Sequence, residues 1–143
     1  MRNDLVLRVV GKILIPFILL FAIYVQFHGD FGPGGGFQAG VIFAAGIVFY
    51  ALIFGLENAR RVLPDSVVES MLAAGVLLYA GVGIAGLLLG GNFLDYFVLG
   101  RDHVDGQHRG IFWVELGVGI TVCGVMLKIF YMFYSRENSG DQQ

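Results

Sequence analysis

The sequence contains little cysteine and little charge, and it has no excess of basic residues. Its single cysteine, Cys123, excludes an internal disulfide bond and any metal framework built on several cysteines. Charged residues make up only 14% of the 143 residues and the formal net charge is −2, so no basic field favours a nucleic-acid partner. With 57% hydrophobic residues and a mean hydropathy of +0.76, the chain needs lipid or other proteins to cover most of its apolar surface.

Four apolar runs reach the length of roughly 20 residues that a helix needs to cross a hydrocarbon layer of about 30 Å. They are apolar nearly all round, which is typical of membrane helices and not of the alternating strands of a barrel. The sequence therefore predicts an all-α membrane protein, a single domain over residues 1–143 with short loops and a polar tail over 135–143. The predicted spans are Leu5–Phe27, Phe37–Leu56, Val67–Leu89 and Ile111–Tyr134.

Lysine and arginine are distributed unevenly between the two predicted membrane faces. One face receives both termini and the connection between the second and third spans, and it holds seven of the nine basic residues. These seven are Arg2, Arg8, Lys12, Arg60, Arg61, Lys128 and Arg136. Because basic residues concentrate on the cytoplasmic side, both termini are predicted to be cytoplasmic. All three histidines then lie on the outer side.

Small residues recur at intervals of four in three of the predicted spans, and so form stripes on single helix faces. In lipid, helices associate through the close packing of such faces. So many stripes on only four spans predict a subunit of a larger membrane assembly. The alternative is a compact four-helix protein whose glycines serve internal packing. The stripes are Gly36, Gly40 and Ala44 in the second span, Gly81 with Ala85 and Gly86 with Gly90 in the third, and Glu115, Gly119 and Cys123 in the fourth.

A glycine-rich connection joins the first two spans. It consists of His28, Gly29, Asp30, Pro33, Gly34, Gly35, Gly36 and Phe37, with Phe31 and Gly32 between Asp30 and Pro33. Proline fixes one φ angle and the glycines permit backbone shapes that a Cβ would forbid, so this connection is predicted to be an ordered turn. Polar residues flank it (Gln38) and recur in the later outer loop (His103 and His108). Without a Cys–Cys or His-x-x-x-His spacing on a helix, a polar outer surface is favoured over a metal site.

Glu115 is the strongest candidate for ion chemistry. It lies about five residues inside the outer end of the predicted fourth span, or roughly 7 Å deep at 1.5 Å per residue. An ionised acid there costs up to about 3 kcal/mol, so it needs a cation, a proton or a hydrogen-bonding partner. Two interpretations are open: a carboxylate beside a proton or cation route, and a structural acid paired with a neighbouring helix. Lys12 and Lys128 lie near the cytoplasmic ends of their spans, where snorkelling to the headgroups explains both.

The chain resembles a known family in its four spans and in the first turn. His28-Gly29 leading into Pro33-Gly34-Gly35-Gly36-Phe37 is similar to the turn of the MnhB-type subunits of multisubunit Na⁺/H⁺ antiporters of the Mrp (Mnh) type. The opening of the first span from Gly11 to Pro16 agrees with this family, and so does the segment Glu115-Leu116-Gly117-Val118. The resemblance extends over about residues 5–134. No nucleophile–base pair or phosphate loop favours an enzyme, and no cofactor is expected.

The resemblance implies a small subunit of an antiporter in the bacterial cytoplasmic (inner) membrane that exchanges Na⁺ for protons. It also implies partner subunits of types A, C, D, E, F and G, of which A and D are similar to ion-pumping subunits of respiratory complex I. We expect Glu115 to contribute to a cation or proton route at a subunit interface, and the turn from His28 to Phe37 to fix that interface on the outer side. Two alternatives are a subunit that acts only as a scaffold and a B-like subunit of a membrane-bound, hydrogenase-type respiratory complex.

Overall fold

The described part of the chain folds mainly into long helices. A computed structural model describes residues 4–29, 34–100 and 103–140, so Asp30 and Pro33 of the predicted turn lie outside the described residues. Within these ranges a 3₁₀ helix over Tyr96–Leu99 precedes the last α-helix. The α-helices are α1 (Asp4–His28), α2 (Gly36–Phe54), α3 (Leu56–Val62), α4 (Asp65–Leu88) and α5 (His103–Gly140).

Four of these helices are long and apolar enough to cross a membrane, which confirms the predicted fold class. They are α1, α2, α4 and α5, whereas α3 is a short helix of seven residues in the predicted connection between the second and third spans. The end of α2 comes two residues earlier than predicted, because Gly55 adopts a left-handed φ of 93° that interrupts the helix. The start of α4 comes two residues earlier, at Asp65, directly after Pro64.

The last helix, α5, begins at His103, eight residues before the predicted start at Ile111. Two features of its first turns favour this extension. Asp105 places a negative charge at the positive end of the helix dipole, and its carboxylate pairs with Arg109 one turn later at 3.2 Å. The apolar pattern that predicted the span does not detect such a helical extension, because the residues of the extension are mainly polar.

The membrane helices pack side by side in the order α1, α2, α5, α4. Glycines mark the close contacts between them. Gly46 of α2 packs against Leu19 of α1, and a methyl group on Gly75 of α4 would lie 2.7 Å from the carbonyl oxygen of Gly117 in α5. Because helices in lipid associate through such close backbone approach, these glycines are what hold the four spans together. Gly81 is an exception, since it is exposed and a methyl group there would have no neighbour within 4 Å.

Two of the predicted small-residue stripes pack against each other within this chain. Gly36 of α2 lies on the backbone of Glu115 in α5, and Gly40 lies on the carbonyl oxygen of Gly119 one turn further along. Ala44 and Cys123, the next members of the two stripes, are both part of the buried core. These two faces therefore serve internal packing, which was the alternative explanation of the stripes, and they do not remain available to another subunit.

The buried core lies toward the end of the bundle that carries α3. Its members are Ala44, Ile47, Leu56, Val68, Cys123, Leu127 and Tyr131. Tyr131 is fully buried, and its hydroxyl donates a hydrogen bond to the carbonyl oxygen of Leu63 at 3.1 Å. The Arg60 guanidinium lies 5.4 Å from the centre of the Tyr131 ring and pairs with Asp65 at 3.2 Å. This polar cluster fastens α3 to the far end of α5.

The opposite end of the bundle is closed by the connection from α4 to α5. Asp95 caps the 3₁₀ helix by accepting a hydrogen bond from the backbone N–H of Phe97 at 3.2 Å. The ring of Tyr96 packs against Gly110 of α5, and burial raises the pKa of its hydroxyl, with the Tyr79 hydroxyl adding to the rise. The last turn of α1 and the first turn of α2 lie at the same end of the bundle. This end thus holds all the parts from which a site around Glu115 is built.

Candidate functional site

The side chain of Glu115 rests on the glycine backbone of the first turn. A methyl group on Gly29 would lie 2.6 Å from Oε2 of Glu115, and one on Gly35 would lie 2.8 Å from Oε1. Both distances are shorter than an ordinary contact, so the carboxylate occupies space that side chains at these two positions would fill. We call Gly29, Gly35 and Gly36 the glycine cradle. The cradle unites the predicted acid with three residues of the predicted turn.

The backbone of the cradle has the conformation that glycine allows. Gly35 adopts a φ angle of 147°, and Gly34, directly before it, adopts 156°. Residues other than glycine rarely adopt such angles. This extended, positive-φ entry brings the first residue of α2, Gly36, directly onto the main chain of Glu115. Gly35 and Gly36 are both buried and Glu115 is half-buried. The triglycine sequence is therefore needed for contact between α2 and α5, and not only for reversal of the chain.

The amino end of α2 adds a favourable electrostatic environment. The first N–H groups of a helix have no acceptor within their own helix, and they carry the positive end of the helix dipole. The N-cap of α2 is Gly35, which provides no side-chain cap. The Glu115 carboxylate lies against this residue, so the helix end lowers the electrostatic cost of placing a negative charge there.

Gln26 is a buried polar residue that the sequence analysis missed. Its side chain is only 9% exposed, and its Oε1 lies 2.9 Å from the position that a Cβ on Gly119 would take. The amide nitrogen Nε2 has no hydrogen-bond acceptor among the described residues. A signal for it was present, because Gln26 is a glutamine inside the predicted first span, and an amide in an apolar run needs a partner.

Apart from the glycines, the other predicted residues at this end whose side chains the structure describes are exposed. Phe37 and Gln38 are exposed, and so is His28, whose ring stacks on Tyr24 at 5.2 Å between centroids. His108 is exposed in the first turns of α5, and the side chain of His103 lies outside the described part of the structure. Among the described residues, no group of three histidine, cysteine, aspartate or glutamate side chains could hold a metal ion.

The two predicted lysines lie toward the other end of the bundle. Lys128 of α5 pairs with Glu69 of α4, with 2.5 Å between Nζ and Oε1, and Lys12 is exposed on α1. Both lysines were predicted to snorkel to the headgroups, and the pairing of Lys128 with Glu69 was not predicted. The pair links α4 to α5 across a contact that sequence spacing could not reveal.

Comparison with known proteins identifies the family. The family described as "Domain related to MnhB subunit of Na+/H+ antiporter" matches residues 6–128. The chain belongs to the MnhB family. It is 34% identical over 135 residues to a protein of Staphylococcus haemolyticus (strain JCSC1435), described as a candidate antiporter subunit mnhB2. A protein of Staphylococcus aureus (strain Newman) with the same description is 32% identical. Both alignments cover 90% of this chain and 92% of the relative.

Membership of the MnhB family confirms the resemblance inferred from the first turn and the segment after Glu115. The matched range includes Gln26, the glycine cradle and Glu115. Membership places the chain with transporter subunits and not with enzymes. Together with the four apolar helices, it makes the chain a multi-pass membrane protein that works alongside other subunits.

Proposed function

We propose that this MnhB-family chain is the B-type subunit of a multisubunit Na⁺/H⁺ antiporter in the bacterial inner membrane, and that Glu115 contributes to its cation or proton route. The single observation that carries the role of Glu115 is the glycine cradle, which holds a carboxylate inside a membrane helix against bare backbone. The partners are the A-, C-, D-, E-, F- and G-type subunits, and the ions are Na⁺ and H⁺.

The physical argument starts from the cost of the acid. A carboxylate in a membrane helix costs up to about 3 kcal/mol, and such residues are retained mainly where they pair or where ions move. Because the cradle residues have no side chains, their backbone lies directly against both carboxylate oxygens. The positive end of α2 offsets part of the cost of the charge. These features suit a group that exchanges a proton for a cation near the membrane surface.

The test replaces the acid by its neutral isostere, Glu115→Gln, in the complete antiporter. We expect normal amounts of assembled complex, because the shape that fills the cradle is kept. Na⁺-dependent proton movement per assembled complex should fall by about tenfold or more, since a positioned proton-transferring group is lost. Glu57→Gln is the matched control, because Glu57 is an exposed acid on α3 at the other end of the bundle. Full exchange by a normally assembled Glu115→Gln complex would contradict the role of Glu115.

A scaffold role is the second candidate, and one observation favours it. The backbone of Glu115 is itself a packing surface, since Gly36 lies on its carbonyl group. A subunit that only holds ion-carrying subunits together would use Glu115 to fix α2 against α5. In that case Glu115→Gln would leave transport per assembled complex unchanged and would alter only the yield of the complex.

A further inference from the structure

A cleft lies between α1 and α5, with α2 as its floor. The two helices meet at the outer end, where the rings of Phe27 and Phe112 stack at 5.7 Å. Further into the membrane they leave a cavity of about 210 Å³. Its walls include Ala22, Ile23 and Gln26 from α1 and Leu116, Gly119 and Ile120 from α5. We call this cavity the α1–α5 cleft.

Gln26 is the polar feature of the cleft. The remaining lining residues are apolar, glycine or, in Cys123, a buried thiol. The Gln26 side chain is nine-tenths buried, and its amide nitrogen has no acceptor among the residues that the structure describes. A half-turn of the amide exchanges its nitrogen and oxygen, so the donor can be presented to the cleft. An unpaired amide donor is unfavourable in hydrocarbon, where no solvent can accept its hydrogen bond.

The chemistry of the cleft distinguishes between its potential occupants. A lipid acyl chain fills an apolar space but offers Gln26 no acceptor. An ordered water needs two to four polar partners, and the lining provides few besides Gln26. A transmembrane helix can provide both an apolar surface and an oxygen acceptor. Ile23, Leu116 and Ile120 are exposed or half-buried at the mouth of the cleft, so the apolar face of such a helix can pack on them.

We infer that a transmembrane helix of another subunit packs in the α1–α5 cleft and presents a hydroxyl or carbonyl oxygen to the Gln26 amide. The inference rests on the proposed membership of a multisubunit antiporter and names the place where one partner binds. It differs from the predicted interface at the outer turn, because it lies deeper in the membrane and on the flank of α1.

Photo-crosslinking in the intact complex tests the position of this helix. A benzophenone amino acid replaces Ile23, which lines the cleft and is 45% exposed in the isolated chain. The matched control position is Phe21, which lies on the other flank of α1 at similar depth and is 54% exposed. The yield of its products calibrates the efficiency of the photoreaction. We expect the Ile23 position to yield a covalent product with a different subunit. Products with lipid alone, with a second copy of this chain or with water would overturn the inference.

Replacement of the amide tests the hydrogen bond. Gln26→Leu replaces the amide with an apolar side chain of similar size, so the chain by itself should keep its thermal stability or gain some. Dissociation of the subunit from the complex should become about three- to thirtyfold more favourable, the effect of losing one interhelical hydrogen bond in a membrane. Ile23→Leu is the control for a general change in the cleft wall. An unchanged dissociation constant for Gln26→Leu would refute the role of Gln26.

These results are independent of the test of Glu115. If the Ile23 position contacts no subunit while Glu115→Gln still impairs exchange, the docking inference fails and the proposed function stands. If Ile23 contacts a subunit and Gln26→Leu weakens assembly while Glu115→Gln exchanges ions normally, the docking inference stands and the ion route through Glu115 fails.

Discussion

Gly36 and Gly40 of α2 contact Glu115 and Gly119 of α5, and we call this contact the glycine seam. A methyl group at Gly36 is a small change that disrupts it. In Gly36→Ala the new Cβ would lie 2.6 Å from the carbonyl carbon of Glu115 and 2.9 Å from its Cα, with the carbonyl oxygen closer still. All these atoms belong to a helix backbone, so none can rotate away. To reach an ordinary contact of about 3.4 Å from the carbonyl carbon, the two helices must move apart by at least roughly 0.8 Å, and the closer carbonyl oxygen requires a larger separation.

This separation also loosens the next contact, at Gly40 and Gly119, because both contacts lie on one rigid pair of helices. Overpacking of a close contact costs about 1–3 kcal/mol, and the backbone location favours the upper end of that range. Thermal unfolding of the purified chain in detergent measures the loss. Gly81→Ala is the matched control, since a methyl group there meets no atom within 4 Å and alanine is favoured over glycine within a helix. Equal stability of the two variants would refute the packing argument.

Two further substitutions test the other end of the bundle. Tyr131→Phe removes the hydroxyl that donates to Leu63 and should lower the free energy of unfolding by about 1 kcal/mol, as measured by thermal unfolding against wild type; no loss would mean that the bond is not formed. Glu69→Gln breaks the pair with Lys128 but should lower the free energy of unfolding by less than about 1 kcal/mol, because Glu69 is largely exposed. The double variant Glu69→Lys with Lys128→Glu should restore the stability, because it forms the pair again with its charges exchanged. A larger loss that the exchange fails to restore would show that Glu69 acts through something other than this pair.

The number of membrane-spanning helices could be predicted from the sequence because it depends on local composition. A run of about 20 apolar residues satisfies its own backbone only as a helix. Each predicted span overlaps a helix of the structure, and the largest boundary error, at the start of α5, falls in a polar segment outside the apolar run. The spacing of four residues also identified the two stripes that form the seam, since that spacing defines a helix face.

The partners of these stripes could not be predicted in the same way. Spacing shows that Gly36 and Gly40 share a face, but it does not show that Glu115 and Gly119 lie opposite, because about 80 residues of chain separate them. The same gap hid the pairing of Lys128 with Glu69. Gln26 could not be singled out for a different reason: one amide hardly changes the apolar character of the first span, and its burial depends on the packing of α1 against Gly119 of α5. The structure has a connection between α1 and α2 where one was predicted, and Phe37, which was predicted to be part of the turn, is exposed in the first turn of α2.

The glycine seam makes the two candidate roles of Glu115 separable. Glu115→Gln removes the charge and keeps the backbone contact with Gly36, whereas Gly36→Ala disturbs that contact and keeps the charge. If the carboxylate forms part of an ion route, both variants lower exchange per assembled complex, because the first removes the group and the second displaces it. If the seam only supports assembly, Gly36→Ala lowers the yield of the complex and neither variant lowers exchange per complex. Measuring yield and exchange in parallel therefore assigns the acid to one role or the other.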